Sequence, residues 1–217
     1  MHILGLTGGG PRPSSDMVVL GLTGGIACGK STISLTLKEL GAVIIDGDVL
    51  SRELTAPGGE ALPAIRAAFG DGVFMPDGAL DRRALGQLVF SSDAARETLD
   101  SIMQPLLLGH IRNDIAEARS SGAEICVLDM PLLYEKGLDS LCDRVWCAWL
   151  PQETQLQRLM ARDGFTAVEA LQRIRSQMPT DEKAARADIV IDTGGTIQYT
   201  KESVLALYAQ ETGTSKH

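Results

Sequence analysis

No apolar run in the 217 residues approaches the about 18 residues of a membrane-spanning helix. The start of the chain also lacks the basic residues and apolar centre of a secretory signal, so a cytoplasmic location is expected. The four cysteines, at 28, 126, 142 and 147, form no Cys-x-x-Cys pair, and no His/Cys cluster has zinc-ligand spacing. That usage suits a reduced chain rather than a disulfide framework. His2, His110 and His217 do not cluster, and no chemistry is expected of them. Positive charge is scarce: 20 Lys and Arg against 28 Asp and Glu leave a net charge of −8. A global basic field for nucleic acid or an anionic membrane is therefore excluded, and neither partner is expected. A polyanionic ligand would have to be held by local amides and arginines. The hydrophobic content of 44% supports one α/β core with insertions and does not require two independent domains. Acidic charge and apolar helices are compatible with a monomer or a small homo-oligomer.

What the chain does contain is a complete G-x-x-x-x-G-K-[ST] loop, Gly24-Gly-Ile-Ala-Cys-Gly-Lys-Ser31. The β-branched, apolar stretch Met17–Thr23 precedes it and reads as a buried strand. Residues 32–40 follow, with apolar side chains at 33, 37 and 40 in helical spacing. Glycines let such a loop turn several N–H groups onto one anion, and the helix N-terminus adds its positive dipole end. Lys30 then brings an ammonium to the β- and γ-phosphates, and the Ser31 hydroxyl is left for Mg²⁺. The expected ATP-binding positions are Gly25, Ile26, Ala27, Cys28, Gly29, Lys30, Ser31 and Thr32. Cys28 has two readings: a thiol activated by the helix terminus and Lys30, or an inert spacer.

Leu4–Gly9 repeats as Leu20–Gly25, but the first copy runs into Gly10-Pro-Arg-Pro and has no Gly-Lys-Ser. Residues 1–16 are therefore expected to be a non-catalytic extension of a domain spanning 17–212. Further apolar runs at 42–46, 124–129, 144–149 and 188–191 alternate with helical patterns. With the first strand they predict a five-stranded, doubly wound parallel α/β sheet of the P-loop type. Residues 52–122 are too long for one crossover and read as a helical acceptor-binding insertion, while the Arg-rich residues 151–187 read as a lid.

Ligands of such sheets gather at the carboxyl ends of the strands. The second strand ends in Asp46-Gly-Asp48 with Arg52 beyond, and the third in Asp129. Asp46 or Asp48 can orient an acceptor hydroxyl or serve a metal, and Asp48 can instead cap a helix. Asp129 can bind Mg²⁺ through water or cap the turn before Pro131. Arg158, Arg162, Arg173 and Arg175 lie within eighteen residues against only Asp163 and Glu169. Arg158 and Arg162, at i and i+4, share a helix face. They are either a solvated face or lid guanidiniums for a charged phosphoryl group.

These motifs resemble the dephospho-CoA kinase family across nearly all of residues 17–212. The resemblance rests on Gly21–Ile26 with Gly29-Lys-Ser31, on Asp46-Gly-Asp48 with Arg52, and on Pro131-Leu-Leu-Tyr-Glu135. It continues through Gln155, Arg158, Arg162-Asp-Gly164, Arg173, Gln177, Lys183, Ala187-Asp188 and Ile191-Asp192 before Gly195. It implies Mg-ATP as donor and the ribose 3′-hydroxyl of dephospho-CoA as acceptor. It implies Asp48 as the base, Lys30, Arg158 and Arg162 on the phosphates, and Asp46, Asp48 and Arg52 at the acceptor. The segment at 192–195 would lie by the adenine. The chain departs from the family's usual pattern at four places: Ala27-Cys28 replaces Gly-Ser, Gly47 replaces Ala, Gln104 precedes Pro105 in place of His, and Thr193 replaces Asn. Another small-molecule P-loop kinase would share the loop, lid and strand-end Asp. A nucleotide switch of the GTPase kind would require an Asn-Lys-x-Asp, which is absent, and gives no reason for the arginines.

Overall fold

A computed structural model describes residues 17–213. The extension 1–16, with the first copy of the repeat, lies outside the described residues. Five strands are present, one for each expected apolar run: β1 (Val18–Gly24), β2 (Val43–Asp46), β3 (Ile125–Asp129), β4 (Arg144–Trp149) and β5 (Ile189–Asp192). Their order across the sheet is β2-β3-β1-β4-β5, and β1 pairs in parallel with both β3 and β4, as β4 does with β5. The chain leaves β1 for the β2 edge and later crosses to β4 on the other side. The carboxyl end of β1 is thus the topological switch point, where a doubly wound sheet opens its ligand crevice.

Helix α1 (Lys30–Glu39) begins inside the Gly-Lys-Ser motif, at the seventh residue of the expected loop. Its Ile33 and Leu37, both fully buried, join Leu20 and Leu22 of β1, Val127 of β3, Trp146 of β4 and Ile191 of β5 in one core. Burying each such side chain is worth about 1.5–3 kcal/mol. All seven residues of β1 are buried, which accounts for a continuous apolar run in place of alternation.

Two compact units emerge from the contacts: residues 46–116, and the remainder of the chain on either side. The smaller unit holds α2 (Gly47–Leu54), α3 (Leu62–Phe69), α4 (Arg82–Ser91) and most of α5 (Asp93–Ser120). It has its own core of Leu54, Ala61, Ile65, Val73 and Leu85, with Phe69, Leu99, Ile102 and Leu106 packed around it. Helix α5 runs 28 residues, through Pro105 in its interior. It crosses the unit boundary without a break in secondary structure. The insertion read from the sequence as 52–122 ends close to the end of this helix, whereas the packing changes at 116. At the other end, α2 starts directly off β2, so Asp48 and Arg52 belong to the helical unit.

In the larger unit the Arg-rich segment forms α6 (Gln152–Asp163), α7 (Ala167–Arg175) and α8 (Thr180–Arg186). Gly164, at φ 72°, closes α6, and Thr166 with Glu169 opens α7 in a reciprocal capping box. Leu159, Ala170 and Ile174 form a small core between α6 and α7. Helix α9 (Ile197–Glu211) packs against α1. Among the described residues no helix is long and apolar enough to cross a membrane.

Candidate active site

The loop after β1 takes a tight conformation that its sequence and surroundings impose together. Gly29 caps α1 with a left-handed φ of 75°. Ala27 is also left-handed, at φ 60°, and is the only described non-glycine residue with positive φ. A side chain there costs roughly 1–2 kcal/mol, so the surroundings must hold it. Ile26 and Ala27 pack on the α6–α7 core of Leu159, Ala170 and Ile174. A Cβ on Gly25 would lie 2.2 Å from Thr180 Oγ1 and 2.5 Å from Gln155 Nε2. Glycine is required at 25 because two polar side chains close on the loop from behind.

Those side chains bind the loop's backbone. Gln155, 2% exposed, donates from Nε2 to the Ile26 carbonyl at 2.7 Å. The Ile26 N–H donates to Gln177 Oε1 at 3.2 Å. Thr193 Oγ1 donates to the Cys28 carbonyl at 2.7 Å, so two of the departures from the family pattern meet in one hydrogen bond. The Thr193 carbonyl in turn accepts from Arg158 Nη2 at 2.9 Å. With these bonds made, the N–H groups that open α1, at Lys30 and Ser31, have no intrahelical acceptor four residues back. They are the ready donors for an anion.

Charge enters through Lys30, whose ammonium pairs with Asp129 at the carboxyl end of β3. Asp129 is almost wholly buried, and its carboxylate holds the lysine rather than capping the turn before Pro131. Ser31 is exposed, and no described residue bonds its hydroxyl. An exposed hydroxyl next to a carboxylate-bound lysine fits the donor set of a metal that arrives on phosphate oxygens. Among the described residues no group of three His, Cys, Asp or Glu is placed to hold a metal by itself.

Cys28 resolves as the inert spacer. Its thiol is 1% exposed, its Sγ lies 3.8 Å from Thr180 Oγ1, and burial raises its pKa despite the helix terminus. Desolvation of a thiolate outweighs the loop's partial charges here, and the activated-thiol reading is set aside. Cys142 and Cys147 are likewise pushed up to about 12 by burial.

The two strand-end acids of β2 part company. Asp46 is the helix cap: its Oδ1 accepts from the N–H groups of Asp48 and Val49 at 2.9 and 3.0 Å. The cap considered for Asp48 therefore falls to Asp46. Asp48 stands in the first turn of α2, exposed, with no hydrogen bond or ion pair to its carboxylate among the described residues. Arg52, one turn on, is exposed as well.

Of the clustered arginines Arg158 bonds a residue that holds the loop, and Arg175 lines a cavity with Gln155, Gln177 and Thr180. Arg162 forms a two-bond pair with Asp163, at 2.8 Å for each bond. Arg173 lies over the Phe165 ring at 4.4 Å from its centre. Lys183 is fully buried, with its ammonium 2.9 Å from Glu135 and bonded to the Pro131 carbonyl. It ties α8 to the segment that follows β3. Asp188 accepts the Val145 N–H at 2.7 Å, at the opposite end of the sheet from the loop. Both residues contributed to the family resemblance, and both serve the framework.

Sequence reasoning gave Gln155, Gln177 and Thr180 no role, because an uncharged amide or hydroxyl announces no partner. The available signals were the family resemblance, which includes Gln155 and Gln177 without giving them a role, and position, since all three lie in the segment read as a lid.

A family model for dephospho-CoA kinase matches residues 18–198 of the chain. The dephospho-CoA kinase of Carboxydothermus hydrogenoformans is 47% identical over 189 residues, covering 87% of this chain and 92% of that protein. Among solved structures, TT1252 of Thermus thermophilus superposes with a TM-score of 0.77 at 30% identity, over 90% of this chain and 98% of that one. The dephospho-CoA kinase of Campylobacter jejuni shares the fold, with a TM-score of 0.70 at 23% identity over 91% and 98% of the two chains.

Proposed function

The chain belongs to the dephospho-CoA kinase family, and we propose that it moves the γ-phosphoryl group of ATP to the ribose 3′-hydroxyl of dephospho-CoA. The products are CoA and ADP. The observation that carries the phosphate half of this reading is the loop itself: its backbone is fixed from behind, and unpaired N–H groups open α1 on its other side. Phosphoryl transfer asks the protein chiefly for position and for positive charge near the moving group. The loop supplies position. Lys30 supplies charge after exchanging Asp129 for phosphate oxygens, and Arg158 adds a guanidinium next to the loop. Arg162 reaches the phosphates by giving up Asp163; that pair is exposed, and breaking it costs little.

Asp48 is the base. Its carboxylate is the one of the two strand-end acids not committed to capping, so both its oxygens are available to an acceptor, whereas Asp46 has only Oδ2 to offer. It takes the proton of the 3′-hydroxyl as the oxygen–phosphorus bond forms and the bond to the β-phosphate oxygen breaks, and later loses that proton to water. Arg52, at the end of the same helix, binds the acceptor together with Asp46. Mg²⁺ would accompany the nucleotide, with the Ser31 hydroxyl and, through water, Asp129 as the residues to hold it, and would neutralise phosphate charge. The remaining helical unit contributes the surface for the rest of dephospho-CoA.

The test is ADP release from Mg-ATP with dephospho-CoA, AMP, adenosine or no acceptor, with the product identified by mass. Release that depends on dephospho-CoA, with CoA as the product, is expected. Release with AMP or adenosine alone would keep a P-loop kinase and overturn the acceptor, and equal release with no acceptor would indicate a bare nucleotidase.

A further inference from the structure

The backbone of Ile26 is gripped on both sides by amide side chains that no part of the transfer chemistry uses. Gln155, on α6, donates to its carbonyl, and Gln177, between α7 and α8, accepts from its N–H. The roles are forced: a carbonyl needs a donor and an N–H needs an acceptor, so the two glutamines act in opposite senses. Packing does not explain them. Both line a cavity of about 220 Å³ with Leu150, Ile174, Pro179 and Thr180, so each has open space on one side. What fixes these side chains is the bond to the loop.

The consequence follows from peptide geometry. A trans peptide is planar, with its C=O and N–H pointing in opposite directions. Anchoring the Ile26 carbonyl to Gln155 therefore turns the N–H of Ala27, in the same plane, away from Gln155. Anchoring the Ile26 N–H to Gln177 fixes the plane before it. Those two planes fix Ile26. The plane after Ala27 is fixed by the Cys28 N–H, which donates to the Gly25 carbonyl at 3.1 Å. Between it and the plane anchored by Gln155, Ala27 keeps its left-handed φ of 60°, a conformation disfavoured for alanine. The two glutamines are thus part of what holds a loop with alanine at position 27 folded towards an anion.

We propose that Gln155 and Gln177 are positioning residues for the nucleotide: by clamping the Ile26 peptides they present the Ala27 N–H to the phosphates of ATP. This rests on the kinase reading only for the identity of the nucleotide, and it links α6 and α7 mechanically to the loop. ATP affinity, not acceptor affinity, is the quantity they set.

The test measures ATP binding by calorimetry without acceptor, together with the KM values for both substrates, in Gln155→Leu, Gln155→Glu, Gln177→Leu and Gln177→Glu. Both leucine variants are expected to bind ATP about tenfold more weakly, a loss of roughly one hydrogen bond to a charge-presenting backbone, with the KM for dephospho-CoA unchanged. Gln177→Glu should recover most of the affinity lost in Gln177→Leu, because a carboxylate still accepts from the Ile26 N–H. Gln155→Glu should not, because it sets an acceptor against the Ile26 carbonyl. ATP affinity within twofold of wild type in both leucine variants would overturn the proposal. Equal behaviour of the two glutamate variants would overturn it too, as would a loss confined to dephospho-CoA. Gln177 is only half-buried, so its pair of variants decides the matter if those at Gln155 fail to fold. Absence of transfer in a wild type that binds ATP normally would count against the acceptor reading alone.

Discussion

The surroundings of the phosphate loop and the helical unit 46–116 use their side chains in opposite ways. Around the loop, polar groups are buried to fix backbone: Gln155, Thr193 and Asp129 are each at most a few per cent exposed, and each holds a loop residue. The helical unit buries mainly apolar side chains, Ile65 and Leu85 among them, and leaves Asp48 and Arg52 exposed at its start. Under the proposed function the contrast has a reason in the ligands. A triphosphate has fixed geometry and is held best by preorganised amides, whereas an acceptor is engaged by side chains at a surface.

That contrast can be broken from either side. The largest effect is expected at Lys30, the one charge within the loop. Lys30→Ala should lower kcat by at least about 10²-fold, because it removes a cation aimed at the transition state and strands Asp129 in a buried site. Steady-state kinetics alongside a thermal melt separate those two losses. In the helical unit Ile65→Ala deletes a fully buried side chain of a small, partly open core. It should cost about 2 kcal/mol of stability, at the low end for such deletions. If the acceptor surface is built by this unit, the KM for dephospho-CoA should rise while ATP affinity measured by calorimetry holds. A smaller effect is expected at Asp46, where Asp46→Ala removes a cap from α2 worth about 1 kcal/mol. Urea unfolding should show it as a lower midpoint, with transfer impaired far less than by loss of Asp48.

The sequence made the fold legible to the extent that backbone chemistry dictates it. Five apolar runs became five parallel strands, and Gly24–Ser31 could only be a loop leading into a helix. Lys183 and the glutamines were not legible in the same way. A buried lysine depends on Glu135 and the Pro131 carbonyl, about fifty residues away in the chain, and no local pattern announces such a partner. Asp46 and Asp48 differ by a local turn geometry that two-residue spacing alone does not resolve, so the cap weighed as an alternative at Asp48 lies at Asp46 instead. Cys28 was open between two readings until its depth was known: a helix terminus lowers a thiol pKa, full burial raises it, and the second prevails.

The central claim is a division of labour, with the loop binding ATP and Asp48 moving the acceptor's proton. It is tested most directly in Asp48→Asn, which keeps the shape of the side chain and removes its basicity, by measuring ATP affinity and single-turnover transfer to dephospho-CoA on the same protein. The account predicts ATP affinity within twofold of wild type and transfer slowed by about 10²-fold or more. Transfer at a near-normal rate, or a parallel loss of ATP binding, would contradict it.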